Sequence, residues 1–414
     1  MNKKLGMAVA GAVMAFGASA ANAGITIPAG DWTIDIGGNV NAYYSNTRFD
    51  GILDNDVDGA PGGENANTIS TGLLPAALGI GGKTRQNDLD IAFQFTFFTG
   101  VDSGGDSADA NGGSGGSNSL NIRQAYMTFG DASWGTIKAG RDLGIFGSDA
   151  ILSDMTLLGV GIGAGAGGTS TLGRIGSGYM YADWVGQISY HSPNWNGFSF
   201  AVGVREPWTN SADTGEITDR MGFEGKASYE WAGDMAGKVW VGYITQKHEY
   251  GYGMDDANGY RSDAWEVGAK VSPLPGLSLV GYYYEGDGIS GSTDGLNGST
   301  LGADIGVLNG LMFRAGKETE DDGGYVQATY AIPGIGTKIG LSYGVSNSKD
   351  DKGPFQYDFE NKSWMVGVYH PLTKSLNLVA EYVDNDRENK IDSFSSYKLD
   401  GEAKTISLGA IMFF

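Results

Sequence analysis

The chain has 414 residues, with 27 basic against 48 acidic side chains, a formal net charge of −21 and no cysteine. Such an acidic surface excludes nucleic acid as a partner, because a polyanion would be repelled. The absence of thiols excludes disulfides, zinc–thiolate sites and thiol catalysis.

Lys3 and Lys4 open the chain, an apolar stretch over 5–18 follows, and Ala21-Asn22-Ala23 fits a small-residue cleavage site. This pattern predicts an export signal over residues 1–23, removed to leave 24–414 as one domain. The apolar stretch is too short to span a bilayer, and nothing downstream offers the ~20 consecutive apolar residues of a membrane helix. Glycine, at 70 residues, is interleaved with 21 Tyr, 17 Phe and 9 Trp. Glycine far above its usual ~7% share, mixed with aromatics, suits twisted, tightly turned strands with aromatic girdles.

From residue 31 onward, runs of alternating polarity are joined by a short turn, then by a long polar segment. Successive strand side chains point to opposite faces, so one face can meet lipid and the other water. The first runs are 31–47, 67–82 and 89–99. In the last of these Leu89, Ile91, Phe93, Phe95 and Phe97 oppose Asp90, Gln94 and Thr96. Runs over 119–130 and 135–142 form a hairpin through Asp131-Ala132-Ser133-Trp134. Runs over 179–193 and 198–206 are joined by Asn194-Trp195-Asn196-Gly197. The second half pairs 221–231 with 238–250, 262–271 with 277–285, 324–332 with 337–346, and 362–372 with 376–386, and 403–414 ends the chain. The count is about 16, and the pattern predicts an all-β, transmembrane antiparallel β-barrel with short turns at one end and long loops at the other. Tyr282, Tyr283 and Tyr284 are read as girdle residues, and Asp384 and Asp386 as exposed loop acids.

Several stretches resemble the general diffusion porins of Gram-negative bacteria, of the trimeric 16-stranded type. They are Arg123-Gln124-Ala125-Tyr126, Gly135-Thr136-Ile137-Lys138-Ala139-Gly140-Arg141-Asp142, Tyr190-His191-Ser192-Pro193-Asn194-Trp195-Asn196-Gly197-Phe198 and His370-Pro371-Leu372-Thr373-Lys374-Ser375. The resemblance implies a water-filled outer-membrane channel for passive diffusion of ions and small hydrophilic solutes, assembled as a homotrimer. It also implies that the long third loop, 143–178, folds into the pore and narrows it. Loop acids Asp149 and Asp154 would then face wall or rim bases at the constriction. Candidate bases are Arg123, Lys138, Arg141, Arg174 and Arg205, with Arg123 on the inward parity, opposite Ile122 and Tyr126. The second strand, 67–82, lacks the arginine that the resemblance leads one to expect. Together with the net charge this inclines the expectation toward a weak cation preference. The terminal Phe414 shares a face with Ile406, Leu408, Ala410 and Met412, and resembles the signal read by the barrel-assembly machinery. Outer-membrane lipid and lipopolysaccharide are the expected surroundings.

The first long loop holds Asp54-Asn55-Asp56-Val57-Asp58-Gly59, with Glu64 following. Alternate acids before a glycine are the opening of a calcium loop, although position twelve is Asn65 and no helices flank it. Asp54, Asp56, Asp58 and Glu64 are thus candidate calcium ligands in a chain that requires no cofactor; the alternative is a solvated acidic loop. The second loop, 100–118, has the composition of a flexible linker. Two further readings stay open. A substrate-specific channel for sugars or anions would show an aromatic slide or a ladder of lysines. An outer-membrane enzyme would need a base beside a nucleophile, and His191, His248 and His370 lie at separated strand ends.

Overall fold

A computed structural model of the protein describes residues 24–51, 65–101, 120–163, 170–207, 216–217, 220–250, 259–289, 319–350, 356–392 and 396–414. The strands are β1 (Ile25–Ala29), β2 (Trp32–Gly51), β3 (Asn65–Ser70), β4 (Ala76–Gln86), β5 (Leu89–Thr99), β6 (Asn121–Asp131), β7 (Gly135–Leu143), β8 (Trp184–His191), β9 (Phe198–Arg205) and β10 (Glu216–Ile217). They continue with β11 (Gly222–Trp231), β12 (Ala236–Tyr250), β13 (Tyr260–Leu274), β14 (Leu277–Asp287), β15 (Glu320–Ala331), β16 (Lys338–Asp350), β17 (Gln356–Pro371), β18 (Leu376–Asp392) and β19 (Ser396–Phe413).

These 19 segments make a closed antiparallel barrel of 16 staves. β3 and β4 pair with successive stretches of β2, so together they form one broken stave. β10 and β11 share β12 in the same way. Closure comes from β19, which runs along β2 from Gly401 opposite Gly51 to Phe413 opposite Asn39. There Gly38 N donates to Phe414 O at 2.9 Å, and β1 takes over the same edge with Ile25 opposite Ile36. β1 and β19 thus complete one stave, and the sheet closes on itself. Short turns follow local chemistry: Asn87 and Asp88, with φ of 49° and 64°, form the two-residue connection between β4 and β5, the geometry of a type I′ hairpin.

The alternation places Val40, Tyr44, Leu78, Ile188, Val241, Val326, Leu341, Ile406 and Leu408 on an exposed apolar outer face. A barrel with such a band presents it to lipid and keeps its polar face inward. On that polar face stand Asn41, Gln94, Glu224, Glu266, Ser342, Asn361 and Glu381.

Five expectations need correction. The run 67–82 is broken at 71–75, because the backbone there bonds elsewhere: Gly72 N donates to Asn41 Oδ1 at 2.9 Å and Leu73 N to Gly159 O at 2.9 Å, while Pro75 has no N–H to give. The run 179–193 begins as a strand only at Trp184, since Asp183 adopts φ 58° and Tyr179 is buried against Asp154. Arg123 and Tyr126 lie on the same buried face, not on opposite ones, because a register shift at Thr96/Phe97 gives β6 an extra residue. Of the three tyrosines only Tyr283 faces outward; Tyr282 and Tyr284 are buried on the polar face. Asp384 and Asp386 belong to β18, opposite Lys404 and Glu402.

Candidate channel lining

The connection between β7 and β8 carries a short helix, α1 (Ser148–Ser153), and a 3-10 turn, Met155–Leu158. Gly144 N donates to Asp183 O at 2.9 Å and closes its neck. Asp154 Oδ1 caps the 3-10 turn by accepting from Thr156 N at 2.9 Å. Its other oxygen accepts from Tyr179 Oη at 2.8 Å and from Arg174 N at 3.2 Å.

Polar-face side chains of the wall satisfy the backbone of this segment. Glu224 accepts from Phe146 N at 3.1 Å, and Glu266 from Gly147 N at 3.0 Å. Tyr325 Oη donates to Ala150 O at 2.8 Å, and Gln327 accepts from Met155 N at 2.7 Å. Tyr43 Oη donates to Leu158 O at 2.8 Å, and Glu381 Oε2 accepts from both Val160 N and Gly161 N at 2.8 Å. Buried backbone groups must find partners, and here strands from β2 to β18 provide them. Between these bonds an apolar cluster joins Phe146, Ile151, Met155, Val160, Tyr179 and Met180 to wall residues including Tyr43, Trp240, Tyr282 and Tyr325.

The candidate constriction residues are not one cluster. Asp149, on α1, is ion-paired with Lys226 at 2.7 Å and with Lys238. Burial opposes its ionisation, but the two ammonium groups outweigh burial and hold its carboxyl at about 2. Arg174 is fully buried, donating through Nε to Ser342 Oγ at 2.6 Å and through Nη1 to Ser363 Oγ at 3.1 Å. It fastens the segment to β16 and β17, where Gly344 leaves room: a Cβ there would stand 2.6 Å from Arg174 Nη1. Arg123 lies over the Phe98 ring, 5.3 Å from its centroid. Lys138 is buried, donates to Asp142 Oδ2 at 2.5 Å and lies over Tyr126. Arg141 takes the other parity and is exposed. Arg205 is buried 3.8 Å from Glu224.

Lys226, Lys238, Lys270 and Lys338 were missed by the sequence reading. Each stands on the polar parity of its strand, where alternation alone could have found it. The candidate calcium ligands Asp54, Asp56, Asp58 and Glu64 lie outside the described residues. Among the described residues Asp384, Asp386 and Glu402 bring carboxylates within 4.8 Å of one another, but Lys404 pairs with Glu402 at 2.5 Å, which makes a surface ion-pair network.

The barrel matches solved structures over nearly its whole length. The anion-selective porin from Comamonas acidovorans is 16% identical, with 92% of this chain and 100% of that chain covered and a TM-score of 0.57. The outer membrane channel DcaP of Acinetobacter baumannii is 18% identical, with 94% and 99% covered and a TM-score of 0.60. Salmonella typhi OmpF, in complex with daunomycin, is 19% identical, with 93% and 100% covered and a TM-score of 0.57. No curated protein matches the sequence. The family model for Gram-negative porins matches residues 8–390. With a closed 16-stave barrel, an apolar outer band and a polar inner face, the chain belongs to the Gram-negative porins, integral β-barrel channel proteins of the outer membrane.

Proposed function

We propose that the protein is a passive channel for ions and small hydrophilic solutes, narrowed by the 143–178 loop folded into its lumen. The observation that carries this reading is the set of bonds from wall Glu224, Glu266, Tyr325, Gln327 and Glu381 to the loop backbone. A loop tied to the polar face of a closed barrel occupies the space a solute must cross. Residues 1–23 are read as the export signal, and Phe414 as the end recognised during barrel assembly in lipopolysaccharide-containing membrane. The protein is read as a homotrimer; a trimer form is named for OmpT of Vibrio cholerae, another structure of this fold. A calcium ion held by Asp54, Asp56, Asp58 and Glu64 remains part of the proposal for the first long loop.

The net charge of −21 argues for a weak cation preference, but ion choice is made by the charges that line the passage. There Asp149 is matched by two lysines, and Glu224, Glu266 and Glu381 are turned to loop amides. Among the charges left over, Lys270 and Lys338 outnumber Glu230, so we read the passage as weakly anion-preferring. The test is the reversal potential across a salt gradient in a planar bilayer. Its sign decides between the two preferences, and the absence of any current rejects the channel.

A further inference from the structure

We propose that Lys238, Lys270 and Lys338 form a binding site for small multivalent oxyanions at the short-turn end of the lumen, a proposal that rests on the channel reading above. Lys238 is the third residue of β12 and Lys338 the first of β16, while Lys270 lies four residues from the end of β13. All three share the polar parity of their strands, with Trp240, Glu266 and Ser342 respectively. Lys238 and Lys270 are direct register partners on that face, and Lys338, across β14 and β15, is within electrostatic reach of Lys270. Cβ atoms of such partners lie ~5 Å apart, where like charges destabilise the sheet unless a counter-charge joins them.

The chain supplies too little counter-charge. Asp149 is shared between Lys226 and Lys238. Glu230, on the polar parity of β11, is within electrostatic reach of Lys270. Asp154 and Glu381 are within such reach of Lys338, but their oxygens are occupied, Asp154 by Thr156, Arg174 and Tyr179, and Glu381 by Val160, Gly161 and Tyr369. Among the described residues no carboxylate stands within salt-bridge distance of Lys270 or Lys338. Four ammonium groups, counting Lys226, therefore face three carboxylates, Asp149, Glu230 and Glu266, the last of which also accepts from Gly147 N and the Tyr282 hydroxyl. Lys338 is steadied over the Tyr369 ring, 4.7 Å from its centroid. Lysines offer compact charges with rotatable donors, which suit a rounded, multiply charged oxyanion such as phosphate.

The probe is inorganic phosphate, added to the purified full chain conducting chloride in a planar bilayer. Phosphate should reduce the current with saturable dependence. Lys270→Gln and Lys338→Gln should each raise the half-blocking concentration about tenfold, the size expected for one charge-assisted hydrogen bond. Lys390→Gln, on the exposed outer parity of β18 beside Glu388, makes the same change in net charge and should leave the block unaltered. A block that survives both inner substitutions, or that weakens equally in Lys390→Gln, overturns the site. A conducting channel indifferent to phosphate overturns the site and leaves the channel standing, whereas a protein without conductance overturns both.

Discussion

Gly161 donates its backbone N–H to Glu381 Oε2 at 2.8 Å, a bond between residues 220 positions apart in the chain. The same oxygen takes Val160 N, and Oε1 takes the Tyr369 hydroxyl at 2.6 Å. One carboxylate on β18 thus satisfies three buried donors, two of them on the loop. Glu381→Ala would leave all three without this partner, at ~1–3 kcal/mol for each donor that stays unpaired. The expected result is a lower melting temperature of the folded band in heat-modifiability gels, together with noisier single-channel current. Glu381→Gln, which keeps an acceptor, should be milder on both counts.

Asp149 tests the charge balance beside the loop. Its carboxyl is held at about 2, so the stabilisation from Lys226 and Lys238 is complete above the ordinary value near 4 and is lost as the pH falls through about 2. Ion preference attributable to this group should be constant between pH 7 and pH 4. Asp149→Asn at pH 7 frees both lysines and should move the reversal potential toward anions. An unchanged potential would separate Asp149 from the conducting path.

Asp183 is the opposite case. Burial raises its carboxyl to about 6 in spite of Arg205 and the Trp184 amide. The folded state then binds more protons than the unfolded chain between about 4 and 6, so stability falls as the pH rises through that window. Asp183→Asn removes this cost and tolerates the φ of 58° found there. The variant should melt higher than the parent at pH 8 and close to it at pH 4.

Gly344 tests how tightly the loop approaches the wall. A Cβ at this position would stand 2.5 Å from Ser177 O and 2.6 Å from Arg174 Nη1. Gly344→Val should destabilise the barrel by ~1–3 kcal/mol through overpacking, seen as a lowered melting temperature. Gly281, with open space around the added atom, provides the contrasting site: Gly281→Ala should leave the melting temperature nearly unchanged.

Alternation made the staves legible because each has one apolar and one polar face, as in β5, where Phe95 is exposed while Gln94 and Thr96 are buried. It held for Arg123 against Ile122 but failed at Tyr126, since a one-residue bulge reverses parity without a mark in the sequence. It failed again at Tyr282 and Tyr284, whose type suggests a girdle although their parity is that of Val280 and the polar face. Position near the loop suggested Arg174 as a pore charge, yet its guanidinium is spent on Ser342 and Ser363. Such pairings are made between residues more than a hundred positions apart, which local patterns do not encode. The lysines at the short-turn end were readable from parity, but the approach of Lys238 to Lys270 depends on strand register.

Single-channel recording of the purified full chain in a planar bilayer under a salt gradient tests the central claim most directly. Large, stable current steps with a reversal potential toward the chloride equilibrium value are the predicted result. A protein that folds and inserts but carries no current would contradict the account.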